Sequence, residues 1–135
     1  MLKLRYGFYR ELTDYVTESK PLEVCGLLGG VRERKTKTVK KIYFIKNVLE
    51  SNCEYLMDTA EQLAAAKDMR SNGLDMVGCF HSHPEGPPHP SASDVKTSVF
   101  DNISYVIISM ENDVPVLKSY KIVNGLYMEE GIILV

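Results

Sequence analysis

All three histidines of the chain lie within nine positions, in a segment that reads CFHSHPEGPPHPSASDVKTS at residues 79–98. His81 and His83 are two residues apart, so on a β-strand their side chains project to the same face while Ser82 turns away. Catalytic zinc takes three protein ligands at about 2.0–2.2 Å through nitrogen or oxygen and leaves a fourth position for water. The two imidazoles therefore predict a metal site that needs one more ligand.

Asp94 and His89 are the candidates for that ligand. The intervening prolines stiffen the loop, so the chain can fold back over a metal at low entropic cost and bring Asp94 into the first turn of the next helix. Each candidate has another interpretation. Asp94 lies three residues after Ser91, as in a helix capping box, and taken alone that role is favoured. For His89, an exposed loop position is the better interpretation.

Hydrolysis at such a site also needs a general base within hydrogen-bond reach of the attacking water. Glu23 begins the apolar run EVCGLLGGV, where a charge does not fit the pattern, and this makes it a candidate. Glutamates at the start of a strand are often simply solvated, and spacing does not choose between the two roles.

The elements that must position these residues follow from periodicity, caps and turn residues. Asp58 and Glu61 form a helix start, and Asn124-Gly125 suits a tight hairpin. The basic run 32–41 reads as the hairpin between two strands. The predicted order is a helix (6–21), two paired strands (23–31, 38–48), a helix (57–73), a strand (74–83), a helix (92–101), a strand (103–110) and two final strands in 114–135. This order predicts an α/β fold in which helices flank a single central mixed sheet.

Composition limits the classes of function. At 135 residues, 44% hydrophobic and 25% charged, the chain is expected to form one globular domain over 1–135. A net charge of −2 provides no general attraction to nucleic acid or to membranes, and no signal or membrane-spanning pattern is present, so a cytoplasmic location is expected. Three cysteines without a C-x-x-C pattern indicate no disulfide scaffold. Cys25 and Cys79 are expected to be core thiols, and Cys53 could cross-link on oxidation.

The motifs HSHP (81–84) and PSASD (90–94), together with the upstream glutamate in PLEVCGLLGG (21–30), resemble the JAMM (MPN-plus) metalloprotease family. The motif of that family is a distant Glu, then H-x-H-P, a loop, and S-x-x-D. All of its polar elements occur here in order. The resemblance covers residues 22 to about 98 directly, and the rest of the chain is compatible with a minimal prokaryotic-type domain of the family.

The resemblance implies a fold and a chemistry. The fold is similar to that of cytidine deaminases, although the absence of P-C-x-x-C disfavours deamination itself. His81, His83 and Asp94 are implied to bind Zn²⁺, Glu23 to act as the base, and Ser91 to hydrogen-bond the developing oxyanion. Members of the family are hydrolases of the deubiquitinase type, which cleave isopeptide or peptide bonds after the C-terminal Gly-Gly of ubiquitin-like and sulfur-carrier proteins.

Several alternatives stay open at this stage. A non-catalytic MPN scaffold that binds a ubiquitin-like protein or a partner subunit belongs to another functional class, although such relatives typically lack metal ligands. A peptidase that trims a sulfur-carrier precursor would use the same site. The segment 50–58 falls where the first insertion of larger members lies. The C-terminal GIILV is expected either to complete the sheet or to form a homodimer edge, and Cys79 is expected to share the face of the two histidines.

Overall fold

A computed structural model describes all residues from Met1 to Val135. Every strand belongs to one eight-stranded mixed sheet with the order β7-β6-β5-β4-β2-β3-β1-β8. The strands are β1 (Leu2–Leu4), β2 (Cys25–Glu33), β3 (Thr36–Ile45), β4 (Asp75–His83), β5 (Ser104–Ser109), β6 (Val116–Val123), β7 (Leu126–Glu130) and β8 (Ile132–Leu134), and the helices are α1 (Tyr6–Ser19), α2 (Thr59–Ser71) and α3 (Ala92–Thr97). The predicted fold class is therefore confirmed.

The sheet carries two apolar cores. Leu12 and Val16 of α1 pack in a cluster that includes Phe80. Ala65 and Met69 of α2 pack in a second cluster, which includes Cys79. Because neighbouring residues of β4 join different clusters, β4 runs through the centre of the molecule, with an antiparallel partner in β2 and a parallel one in β5.

The residues that predicted the start and end of the second helix and the hairpin turns have these roles in the structure. The Asp58 carboxylate accepts a hydrogen bond from the Glu61 N–H at 2.9 Å and caps α2, and Gly73 follows the helix with a φ of +66°. Asn124 and Gly125 both have positive φ, as a type I′ hairpin turn requires. The basic run forms the β2–β3 hairpin, in which Glu33 pairs with Thr36.

The third helix was predicted to extend to residue 101, but α3 ends at Thr97. The backbone of Ser98 is extended, and its side chain donates a hydrogen bond to the carbonyl of Val95 at 2.8 Å. The hydroxyl of Tyr105 donates to the Phe100 carbonyl at 2.8 Å and accepts from the Phe100 N–H at 3.2 Å. These contacts hold the chain in a loop that leads back to β5 instead of continuing the helix.

The sequence predicts no strand before the first helix and two strands in 114–135, whereas the structure has β1 at the start of the chain and three strands, β6, β7 and β8, at its end. Leu2 of β1 pairs in parallel with Ile132 of β8, so the GIILV segment completes the sheet. Only Gly131 separates β7 from β8, although these strands stand at opposite ends of the strand order. The sheet must therefore curl until its two edges approach each other. None of the three helices is long and apolar enough to cross a membrane.

Candidate metal centre

The two histidines lie at the carboxyl end of β4, which is one of the two central strands of the sheet. His81 pairs with Cys25 of β2 and with Ile107 of β5, and it is 3% exposed. His83 is half-buried at the last position of the strand. Cys79, His81 and His83 all line one cavity, which confirms that the thiol shares the face of the imidazoles. Burial raises the pKa of the Cys79 thiol to about 12, so it remains protonated near neutral pH and fills core space.

Asp94 reaches the histidines from the first turn of α3, where it also completes a capping box. The Ser91 hydroxyl accepts from the Asp94 N–H at 3.0 Å, and the Asp94 Oδ2 atom accepts from the Ser91 N–H at 2.9 Å. The same Oδ2 atom lies 3.1 Å from Nε2 of His81 and 3.1 Å from Nε2 of His83. The cap and the contact with the histidines, weighed as alternatives from sequence, therefore occur together.

These three atoms form a nearly equilateral triangle, because the two Nε2 atoms are also 3.1 Å apart. In a tetrahedral zinc site with ligands at about 2.0–2.2 Å, neighbouring ligand atoms stand about 3.3–3.6 Å apart. Two imidazole nitrogens and one carboxylate oxygen are also ligands that zinc commonly takes in catalytic sites. In both spacing and donor type, the residues present fit the ion that the sequence predicts.

The hydrogen bond on the far side of His83 strengthens the fit. Its Nδ1 atom lies 2.8 Å from the Pro87 carbonyl oxygen, which can only accept, so Nδ1 carries the proton. In the neutral ring, Nε2 then presents a lone pair toward His81 and Asp94. A backbone carbonyl that fixes the tautomer in this way is typical of histidines that bind metals.

The pKa shifts of the three residues in the triangle are those expected of a site that holds a positive charge. Burial would raise the pKa of Asp94, but its hydrogen bonds with His81 and His83 outweigh burial and hold the pKa far below its ordinary range. Burial lowers the pKa of His81. Burial also acts to lower the pKa of His83, but Asp94 and the Pro87 carbonyl raise it overall. A proton or a metal cation among these atoms satisfies all three groups.

Glu23 stands beside the triangle and is buried, with 4% of its surface exposed, so the solvated interpretation is wrong. It lies two residues before Cys25, where β2 begins, and its carboxylate, His81 and His83 place their ligand atoms within 4.8 Å of one another. Burial raises the pKa of Glu23 to about 7, and Asp94 adds to the effect while His83 opposes it. A carboxylate that titrates near neutral pH suits a group that both takes up and gives back a proton.

The other two predicted residues, Ser91 and His89, both line the cavity but stand outside the triangle. Ser91 lines the same cavity, and its hydroxyl accepts from the helix while its own proton is free to donate, so capping and substrate contact are compatible. His89 is exposed and stacks on Tyr127, with ring centroids 6.2 Å apart. It makes no contact with the triangle, in agreement with its interpretation as a loop residue.

Two residues of the site were not found from sequence. The ring of Tyr55 stacks on His81 with centroids 4.6 Å apart and 23° between the planes, and burial raises the pKa of its hydroxyl. Ser82 turns away from the metal face, yet its hydroxyl accepts from the Val24 N–H at 2.9 Å and so fixes the residue next to Glu23. A single aromatic residue in a polar loop and a serine between two histidines carry no periodic signal that would have identified them.

The triangle lies in a cavity of about 740 Å³ that also has a large apolar lining. Tyr105, Ile107 and Ile122 are among the apolar lining residues, and Leu49, Leu56 and Phe100 line it while exposed at the surface. The charged lining residues are Glu23, Glu54, Glu85 and Asp94, beside the three histidines. The cavity therefore combines an apolar lining with negative charge.

Comparisons with known proteins agree with this geometry. The family described as prokaryotic homologs of the JAB domain matches residues 7–123. The chain is 42% identical over 81 residues to a desampylase of Pyrococcus furiosus, which covers 60% of the chain and 55% of that protein. It is 29% identical over 133 residues to the CysO-cysteine peptidase of Mycobacterium tuberculosis, covering 98% of the chain and 90% of the peptidase. The chain thus spans little more than half of the desampylase but nearly all of the peptidase.

A solved structure gives the same result for the fold. The solution structure of a protein from Desulfitobacterium hafniense superposes with a TM-score of 0.90 at 41% identity, and the match covers 100% of this chain and 93% of that one. The similarity therefore includes the strands at both ends of the sheet as well as the segment that carries the motifs.

Proposed function

The chain belongs to the family of prokaryotic homologs of the JAB domain, and on that premise we propose that residues 1–135 act as one zinc-dependent metalloprotease domain. Its proposed reaction is hydrolysis of the bond that follows the C-terminal Gly-Gly of a ubiquitin-like or sulfur-carrier protein. The observation that supports this most strongly is the 3.1 Å triangle of His81, His83 and Asp94, with the buried carboxylate of Glu23 beside it.

In this proposal His81, His83 and Asp94 hold the ion. When bound, zinc supplies a Lewis acid that activates water and polarises the scissile carbonyl. Glu23 accepts the proton of the attacking water and returns it to the leaving amine, a role that suits a pKa of about 7. Ser91 donates a hydrogen bond from its hydroxyl to the developing oxyanion while the hydroxyl oxygen continues to cap α3.

The names of the two relatives correspond to two kinds of substrate, a protein conjugate and a carrier that ends in a single amino acid. The acids lining the cavity favour the conjugate. The product of the second reaction is an amino acid with a free carboxylate, which Glu54 and Glu85 would repel. In a conjugate, the leaving amine belongs to a lysine side chain, and no free carboxylate accompanies it. We therefore place protein conjugates first among the substrates.

The experiment that tests the proposal measures zinc and cleavage together. Protein purified without chelator is expected to hold one zinc per chain, and His81→Ala and Asp94→Asn are expected to lose it. Glu23→Gln is expected to keep the zinc and lose cleavage of a Gly-Gly isopeptide substrate. Folded protein that takes up no zinc on titration would refute the enzyme and support a scaffold that binds ubiquitin-like proteins.

A further inference from the structure

The loop between β3 and α2, residues 47–57, is organised around the side chain of Asn47. The backbones of Asn47 and Met57 form an isolated bridge at the base of the loop. Within the loop, Asn47 Oδ1 accepts from the N–H groups of Leu49 at 3.1 Å and Leu56 at 3.0 Å, and Nδ2 donates to the Glu54 carbonyl at 3.0 Å. This amide therefore links the two arms of the loop, in addition to the backbone hydrogen bonds from the Val48 N–H to the Leu56 carbonyl and from the Asp58 N–H to the Lys46 carbonyl, both at 2.9 Å.

The same amide also reaches the candidate base. Nδ2 of Asn47 donates to the carbonyl of Glu23 at 3.0 Å, and the N–H of Glu23 donates to the Ser51 carbonyl at 2.8 Å. Both backbone groups of Glu23 are thus bonded to the 47–57 loop. The next residue, Val24, is bonded to Ser82 of β4 through both its N–H and its carbonyl. The position of the Glu23 carboxylate therefore depends on the loop as well as on the sheet.

Asn47 also controls the residue that covers the metal face. Tyr55 lies between Glu54 and Leu56, and the amide of Asn47 bonds to both of these neighbours. The ring between them stacks on His81. His81 is 3% exposed, and the Tyr55 ring is one of the groups that cover it. One side chain thus fixes the backbone of the candidate base and the tyrosine on a candidate ligand.

We propose that Asn47 is a positioning residue that places Glu23 and Tyr55 against the metal centre together. All four hydrogen bonds of the amide are used in this role, two as donor and two as acceptor. A substrate that displaces the exposed side chains of Leu49 or Leu56 would move Glu23 and Tyr55 through the same amide. The kinetic part of this inference rests on the proposed hydrolase function, whereas its structural part does not.

Asn47→Ala and Asn47→Asp separate the two halves of the role, and Asn112→Ala provides the matched control. Asn112 is exposed in the loop before β6 and does not line the cavity. An aspartate still accepts from Leu49 and Leu56 but cannot donate to the carbonyls of Glu23 and Glu54. The first readout is the ring-current shift that Tyr55 imposes on the His81 ring protons, measured by NMR in zinc-free protein, with Tyr55→Leu as the zero point. The second is kcat and KM on a Gly-Gly isopeptide.

Asn47→Ala is expected to lose most of the His81 ring-current shift and to lower kcat at least tenfold, with little change in KM, because a misplacement of about 1 Å can cost about 10²-fold in rate. Asn47→Asp is expected to keep more than half of the shift and still lose kcat at least tenfold. Asn112→Ala is expected to match wild type within twofold.

If folded Asn47→Ala and Asn47→Asp keep the wild-type shift and kcat and lose only thermal stability, the amide is merely structural and the inference is overturned. If Asn47→Ala does not fold, Asn47→Asp alone decides through its kcat. A wild-type protein that cleaves nothing, while Asn47→Ala abolishes the shift, would refute the proposed function and leave the positioning role standing.

Discussion

Replacing Glu23 by glutamine should remove a pH dependence of the folding stability that the burial of this carboxylate creates. In the folded chain the pKa of Glu23 is raised from 4.5 to about 7, so the folded state holds a proton that the unfolded state releases. Stability is therefore lost as pH rises from 4.5 to about 7, and the loss is complete above pH 7. A difference of about 2.5 pH units corresponds to about 3 kcal/mol at 1.36 kcal/mol per unit.

The change Glu23→Gln removes the ionisable group but keeps its size. In chelator-treated protein, the free energy of unfolding of the variant should therefore rise relative to wild type by up to about 3 kcal/mol between pH 4 and pH 8. Urea unfolding followed by circular dichroism at half-unit intervals of pH measures this difference directly. Near pH 8 it corresponds to a difference in Tm of about 10 °C for a chain of this size.

Substitution of a surface glutamate is the control, because it removes an acidic side chain that is not buried. Glu11 is exposed on α1, and Glu11→Gln should follow the wild-type curve at every pH. In zinc-loaded protein the neighbouring cation stabilises the Glu23 carboxylate, so the difference between wild type and Glu23→Gln should shrink. Parallel curves for chelator-treated wild type and Glu23→Gln across pH 4 to 8 would refute the argument that the pocket desolvates this carboxylate.

Three further measurements address other parts of the site and the sheet. Ser82→Ala leaves the buried N–H of Val24 without a partner, and urea unfolding should show a loss of about 1–3 kcal/mol, whereas a loss below 0.5 kcal/mol would mean that the contact contributes little. Gly26→Ala would place a Cβ 2.2 Å from the Tyr43 carbonyl oxygen and should prevent folding. As a control, Gly7→Ala in α1, where a Cβ would have nothing within 4 Å, should stabilise the protein by about 0.5–1 kcal/mol. A folded Gly26→Ala protein of wild-type Tm would contradict the close strand packing. Peptides that end in Gly-Gly-Lys should be cleaved at least tenfold faster in kcat/KM as the C-terminal amide than as the free acid, and equal rates would remove the preference for conjugates.

Features encoded in neighbouring residues were predictable from the sequence. The caps of α2 and the turn at Asn124-Gly125 depend on residue types a few positions apart, and the pattern HSH places two imidazoles on one face of any strand. The structure brings Asp94 to these imidazoles across a loop stiffened by proline, and the role of the three as zinc ligands stays a prediction.

Features that depend on single side-chain contacts or on partners distant in sequence were missed or misjudged. The helix starting at Ala92 was predicted too long because the Ser98 and Tyr105 side chains bond to the backbone of the residues that follow or end it. The short strand at Leu2 forms only because the end of the chain returns to pair with it. Neither feature leaves a periodic pattern, since the first depends on single side chains and the second on strands of three residues.

The candidate site shows the same division between ligand and support. The residues proposed to bind zinc lie within 14 positions of one another, on one strand and the first turn of the following helix, so a short motif encodes them. Their supports come from elsewhere in the chain: Tyr55 covers His81. Asn47 and Ser82 hold the backbone around Glu23. Because a base must stay within hydrogen-bond reach of the water it activates, the proposed mechanism predicts that the supports affect the rate, as it predicts that the ligands determine metal binding. A chain that kept the motif but lost Asn47 should therefore bind zinc and turn over slowly.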